Sequence, residues 1–340
     1  MILSICIPTY NRPANLPNCL NSILISKRKT NLKFEICISD NGSNYNVKKI
    51  IKPFKKKLNI RVNRNKKNLG YAVNLLKSVS MAKGEFAWCI GDDDLLVPKA
   101  LKKINNLILK NKNIDFYYIN SFHLNNNYLN KFKKPFDTNN LPIGMDRLSP
   151  KKNSQRLKFW DLIDHNVSFD FMAGNFVNIF RRKMWMDNVH VLDKKSINDK
   201  NSILTLLHLK IHANAFRKSL CYFHAEPLSV NLYGVREWKS FYPFIETFKL
   251  SESLDYYRSK GLNFFKYIYC KNYTLRNFAS NLTKTIIGGK ATGLYFLNFN
   301  KHIFQNLLYP NVYLSIFYFI FRKIITLTGK IKKQKKYHNF

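Results

Sequence analysis

Apolar and polar positions change period repeatedly along the first half of the chain. Leu3 to Ile7 is a short apolar, β-branched run that stops at Pro8, and Leu16, Leu20, Ile23 and Leu24 follow at helical spacing. Phe34 to Ser39 is a second such run, closed by the turn-forming Asp40-Asn41-Gly42-Ser43. A helix-like stretch near Val47 to Phe54 and a third strand at Ile60 to Asn63 come next. Ala72, Leu75, Leu76, Val79 and Ala82 then repeat at helical spacing, with Gly84 placed to end that helix. Phe86 to Ile90 is the fourth strand, and Val97, Leu101, Ile104, Leu107 and Ile108 mark the helix after it. This alternation predicts an α/β fold on a mostly parallel, Rossmann-like sheet with right-handed crossovers. Ligands of such sheets lie beyond the carboxyl ends of the strands.

The second half is less regular. Ile114 to Ile119 reads as a further strand, and residues 123–158, rich in Asn, Lys and Pro, read as a long loop over the site. Regular character returns at Phe159 to Ile163, in a strand from Phe171 entering the basic turn at Arg181 and Arg182, and in a helix from Ser202 to His212. Cys221 to Val230 reads as an edge or connecting strand, because Pro227 cannot donate to a ladder. From Trp238 onward the pattern is helical. Three regions result: 1–122, 123–235 and 236–340.

Composition narrows the class. A chain of 340 residues with 46% hydrophobic and 15% aromatic content is globular, not disordered. Its formal charge of +37 attracts polyanions, whether nucleic acid, an anionic membrane face or a phosphorylated substrate. Six cysteines without a Cys-x-x-Cys pair read as reduced, buried thiols. The first residues carry no basic segment ahead of a signal-length apolar run, so the expected location is cytoplasmic, free or peripheral on a membrane. Leu307 to Phe321 is apolar and aromatic, bordered by Arg322, Lys323, Lys332, Lys333, Lys335 and Lys336, and shorter than the roughly 20 residues of a span. It suits either a membrane interface or a helix packed on the domain, and the basic tail favours the membrane.

Against 57 basic residues the chain has 20 acids, yet three stand together as Asp92-Asp93-Asp94, after Gly91 at the end of the fourth strand. Adjacent carboxylates raise one another's pKa, so the cluster reads either as a cation site or as a solvated turn whose last Asp caps a helix. His208 and His212, four apart without an intervening Glu, read as a solvated or core pair.

The succession Ser4-Ile5-Cys6-Ile7-Pro8-Thr9-Tyr10-Asn11-Arg12, Ile38-Ser39-Asp40-Asn41-Gly42-Ser43, Asn68-Leu69-Gly70-Tyr71-Ala72-Val73-Asn74, then Gly84 and Asp92-Asp93-Asp94-Leu95-Leu96-Val97-Pro98 resembles family 2 glycosyltransferases of the GT-A fold. More loosely, Gly174 to Arg182 and the Pro227 segment resemble the second half of abequosyltransferase- and rhamnosyltransferase-like members that build bacterial surface polysaccharides. The resemblance implies a nucleotide-diphosphate sugar donor on Pro8, Thr9, Tyr10, Asn11, Arg12, Asp40, Asn68, Gly70, Asn74, Asp92 and Asp93, with Asp40 accepting from the base. It implies Mn²⁺ or Mg²⁺ on Asp94 first and Asp92 second, whereas Gly91 stands where many relatives have Asp. The region 1–122 is then the nucleotide-sugar half, 123–235 the acceptor half, and 236–340 a helical, membrane-associating extension.

An inverting transfer also needs a base on the face opposite the leaving group. Asp161, Asp164, Asp170, Asp187, Asp193 and Asp199 are available, and the resemblance favours Asp199, with Asp193 in reserve. Asp199 equally suits the cap of the Ser202 helix. The implied activity is metal-dependent hexosyl or deoxyhexosyl transfer to a lipid-linked or polysaccharide hydroxyl, at the inner membrane face and without nucleic acid. A polyanion-binding protein and a catalytically inactive scaffold are the rival readings.

Overall fold

The computed structural model describes residues 1–28, 30–197, 206–234 and 237–327. The chain divides into two compact units, Met1–Val235 and Arg236–Phe340.

In the first unit β1 (Leu3–Thr9), β2 (Phe34–Asp40), β3 (Ile60–Arg64) and β4 (Phe86–Cys89) pair parallel, with α1 (Asn15–Lys27), α2 (Val47–Lys55) and α3 (Tyr71–Ser80) as crossovers. The apolar runs of β1, β2 and β4 are strands buried on both faces, while the run that becomes β3 is half-buried at the sheet edge. β5 (Asp94–Leu96), α4 (Ala100–Lys110), β6 (Phe116–Asn125), β7 (Asp146–Arg147), β8 (Gln155–Lys158), β9 (Asn178–Arg181), α5 (Arg182–Asp187), α6 (Lys194–Ile197), α7 (Leu207–Phe216) and β10 (Leu220–Tyr233) follow. The strands hydrogen-bond in the order β3-β2-β1-β4-β9-β6-β10-β5, with β7 on β6 and β8 on β10. β9 is antiparallel to β4 and β6, so the sheet is parallel through its first four strands and mixed beyond them. One large core, including Ile5, Leu20, Ile36, Trp88, Leu101 and Ile119, fills both faces. All six cysteines are buried and outside any disulfide.

Three expectations are corrected. Residues 123–158 are not a featureless loop: β6 runs on to Asn125, β7 and β8 follow, and Leu129 and Phe136 close a small core with Leu95, Leu124, Val230 and Leu232. β10 is not an edge, since β6 lies on one side and β8 and β5 on the other. The register against β6 shifts between His224 and Ser229, which puts Pro227 in a bulge where no ladder donor is needed. Of the strand expected over Phe171 to Arg182, only Asn178 to Arg181 is extended.

The second unit is helical: α8 (Tyr242–Phe244), a π-helical turn at Ile245–Lys249, α9 (Leu250–Ser259), α10 (Phe264–Thr274), α11 (Phe278–Gly288), α12 (Phe299–His302) and α13 (Pro310–Leu327). Phe244, Phe248, Leu275, Phe278, Tyr309 and Val312 form its core. Among the described residues no helix is long and apolar enough to cross a membrane.

Candidate functional site at the strand ends

The carboxyl ends of β1, β2, β3 and β4 gather the polar clusters, and hydrogen bonds fasten them to one another. Asn41 N–H donates to the Thr9 carbonyl at 2.9 Å, and Asn65 N–H to that of Asp40 at 2.8 Å. Asn11 sits at φ 52°, a left-handed conformation that Asn tolerates. Its N–H donates to Ser43 Oγ (2.9 Å) and its Oδ1 accepts from Asn44 N–H (2.8 Å), tying the Thr9 to Arg12 loop to the turn after β2. Gly42, at φ 77°, is held so close to the next loop that a Cβ there would lie 2.8 Å from the Lys67 carbonyl carbon.

Four amides form one network behind this loop. Asn41 Nδ2 donates to Asn68 Oδ1 (2.7 Å) and to the Gly70 carbonyl (3.2 Å), and Asn65 Nδ2 donates to Asn41 Oδ1 (3.1 Å). Asn74, buried on α3, donates to the Thr9 carbonyl at 3.3 Å. Asp40 is fully buried. Its Oδ1 accepts from Ser43 N–H at 3.0 Å, the turn its sequence suggests, while Oδ2 has Arg64 Nε at 3.6 Å and no hydrogen bond. A buried carboxylate oxygen that accepts no hydrogen bond is an open acceptor. Pro8 lies within β1 opposite Ser39, and Tyr10 is half-buried.

The acidic triplet closes the cluster. Gly91 to Asp94 make a turn between β4 and β5, and all three carboxylates are buried. Thr9 Oγ1 donates to Asp92 Oδ2 at 2.6 Å, and Arg12 Nη1 reaches Asp92 Oδ1 at 3.3 Å and Asp93 Oδ2 at 3.0 Å. Asp94 Oδ2 accepts from Gly91 N–H (2.6 Å) and its Oδ1 from Asn231 Nδ2 (2.8 Å). Burial and the charge of Asp93 push Asp92 up to about 7, against the pull of Arg12 and Thr9. The Asp93 carboxylate fills the space that a side chain at position 91 would take, which is a steric reason for Gly91.

These carboxylates suit a hard divalent cation in donor type, and the like charge that raises Asp92 is the repulsion such an ion relieves. Among the described residues no three His, Cys, Asp or Glu side chains form a ready cage.

Of the proposed bases, Asp193 is exposed and precedes α6, and Asp199 lies outside the described residues. His208 and His212 are core residues, 3% and 0% exposed. Three residues by the site, Asn231, Tyr71 and Asn175, are not assigned a role from sequence, whereas Asp170 is among the available bases. Asn231 is placed opposite Asp94 by the β10–β5 register. Tyr71 accepts from Asn175 Nδ2 at 2.8 Å, and Asp170, half-buried and raised by desolvation, accepts from Gly174 N–H at 2.9 Å. Phe171 and Met172 between them are both left-handed, at φ 50° and 71°, a strained pair held by that carboxylate and by Asn178. Asp170 carried a sequence signal as an acid; Asn231 becomes visible through strand register and Asn175 through its bond to Tyr71.

Comparison with known proteins follows the same outline. The sequence model for glycosyl transferase family 2 matches residues 4–182. Over 103 residues the chain is 44% identical to an abequosyltransferase of Salmonella typhimurium, covering 30% of this chain and 31% of that protein. It is 26% identical over 194 residues to an uncharacterized glycosyltransferase of Methanocaldococcus jannaschii, covering 53% of this chain and 66% of that one. The matches thus span between about a third and two thirds of these relatives' own lengths. The crystal structure of Staphylococcus aureus TarS 1–349 in complex with UDP is similar at a TM-score of 0.57 and 16% identity, over 82% of this chain and 72% of that one, a likeness of fold.

Proposed function

The chain belongs to glycosyltransferase family 2, and from that premise we propose that it moves a hexosyl or deoxyhexosyl group from a nucleotide-diphosphate donor to a hydroxyl of a lipid-linked or polysaccharide acceptor. Bacterial surface glycan synthesis, at the inner face of the membrane, is the setting. The observation that carries the reading is the buried Oδ2 of Asp40, which accepts no hydrogen bond and has only the Arg64 guanidinium at 3.6 Å, at the end of β2, the strand that pairs with β1. An acceptor-only carboxylate pairs with a base N–H, whether the ring N–H of uracil, thymine or guanine or the exocyclic amine of cytosine or adenine, so the nucleotide screen decides which. Thr9 to Arg12 with Asn68, Gly70 and Asn74 line the nucleotide, and their mutual hydrogen bonds hold them in place before it arrives.

Asp94 and Asp92 hold Mg²⁺ or Mn²⁺, with Asp93 beside them; when bound, the ion neutralises charge developing on the leaving diphosphate. Asn231 and the Gly91 N–H fix the Asp94 carboxylate, so it need not reorganise on binding. Arg12 balances Asp92 and Asp93 in the meantime. The transfer inverts the sugar: Asp199, or Asp193 in its place, takes the proton of the acceptor hydroxyl on the face away from the diphosphate.

Thermal unfolding of the whole chain against UDP-, dTDP-, GDP- and CDP-sugars, with and without Mn²⁺, tests this. A ligand of the folded state at a hundred times its Kd adds about 2.7 kcal/mol of stability. One nucleotide class should stabilise the chain, Asp40→Ala should abolish that, and Asp94→Ala should remove its Mn²⁺-dependent part together with donor turnover. A folded chain that no nucleotide-sugar stabilises would overturn the reading. Arg12 bridging Asp92 and Asp93 favours an inactive scaffold as the second reading, and binding without turnover on any acceptor identifies it.

A further inference from the structure

The helical unit wears on its surface what the α/β unit keeps inside. Among the described residues, 22 large apolar side chains are exposed, and 19 of them belong to the helical unit. α13 is the extreme case. Val312 and Ser315 anchor its first turns in the unit's core, but no side chain from 316 to 326 is buried. Phe317 (72% exposed), Tyr318 (59%) and Phe321 (52%) stand in water, with Phe317 and Phe321 stacked 6.4 Å apart. Soluble monomers leave such faces open when another surface covers them.

Charge identifies the cover. From Tyr256 to Phe340 the sequence holds 15 Lys and Arg and not one Asp or Glu. On α13 the Arg322 guanidinium lies over the Tyr318 ring and the Lys323 ammonium over that of Phe319, so cations border the aromatic turns. A second copy of the chain would set two acid-free, positive surfaces against each other, and a nucleic acid has no use for Ile and Leu. A bilayer with anionic headgroups offers both an acyl boundary for the rings and negative charge for the cations. At about 1.5 Å per residue α13 is about 27 Å long, short of the roughly 30 Å hydrocarbon core and interrupted by two cations, so it suits the interface.

We propose that the helical unit docks on an anionic lipid bilayer, with the turns of α13 beyond Ser315 lying in the headgroup boundary. The inference rests on surface chemistry alone and stands whether or not the chain transfers a sugar. Flotation of the full chain with vesicles tests it: phosphatidylcholine containing about one-third phosphatidylglycerol against phosphatidylcholine alone. Binding should favour the anionic vesicles at least tenfold and fall with added salt. Since each cation near such a surface contributes about fivefold, Arg322→Gln with Lys323→Gln should weaken anionic binding by about 25-fold. Phe317→Ser with Phe321→Ser should weaken binding to both vesicle types, with the circular dichroism of the folded chain retained. Folded protein that ignores anionic vesicles overturns the proposal. So does a concentration-dependent dimer, or duplex retention, that the Phe317→Ser/Phe321→Ser pair abolishes while vesicle binding is unchanged.

Discussion

At the scale of single residues the acidic triplet separates into parts that its spelling does not reveal. Asp92 and Asp93 share Arg12, whereas Asp94 is clamped by Gly91 N–H and Asn231. Asn231 stands 137 residues away in sequence and meets Asp94 only because β10 pairs antiparallel with β5. Its replacement isolates what the clamp does. Asn231→Ala removes one hydrogen bond to a buried charge, a cost of about 1.5–3 kcal/mol in stability. The expected signature is an unchanged response to nucleoside diphosphate alone and a reduced extra stabilisation by Mn²⁺, read by thermal unfolding. Equal loss of both would mean that Asn231 supports the fold and not the Asp94 carboxylate.

At the scale of elements the β10 bulge decides how the second half is put together. Pro227 lies where the ladder to β6 is already interrupted, so Pro227→Ala restores a donor that no neighbour needs. Pro227 is buried, so the new N–H finds no ladder acceptor and the smaller side chain loses the ring's contacts; urea titration should show a loss of about 1–3 kcal/mol, and an unchanged midpoint would mean that the bulge supplies that N–H with an acceptor. The same element shows where sequence runs out. β1 to β4 were legible because short strand-like runs, those of β1, β2 and β4 buried on both faces, alternate with helical periods, and because strand ends collect Asp, Asn and Gly at turns. Asp40 and the triplet could be found for that reason. A proline inside an interior strand and a short strand beginning at Asp94 were not legible, because both depend on partners remote in sequence. Residues 123–158 lack a period because their order comes from Leu129 and Phe136 packing onto β5 and β10 side chains rather than from one regular face.

At the scale of the whole molecule the two units keep their ionisable groups in opposite conditions, and acid should distinguish them. In the α/β unit, burial pulls His208 down to about 4 and His212 lower than usual, and neither nitrogen of His212 has a partner. Between pH 4 and 6.5 the unfolded chain binds protons that these rings refuse, so stability is full above 6.5 and falls as pH descends. For His208 alone the accumulated loss is roughly 3 kcal/mol. In the helical unit, burial pulls Glu252 upward, yet the His302 ring at 2.7 Å with Lys249 and Lys301 holds it well below the usual range. Its contribution is complete above pH 4.5 and is lost only as pH falls below that. Three of the four tryptophans, Trp88, Trp160 and Trp185, lie in the α/β unit and report on it by fluorescence, while far-ultraviolet circular dichroism sums the helices of both units. Urea titrations of the full chain from about pH 7.5 down to about pH 4.5 should show the fluorescence midpoint falling first. His208→Leu with His212→Leu, close in volume and free of buried ring nitrogens, should flatten that fall. A slope identical to the parent chain would mean that some other group carries the acid sensitivity.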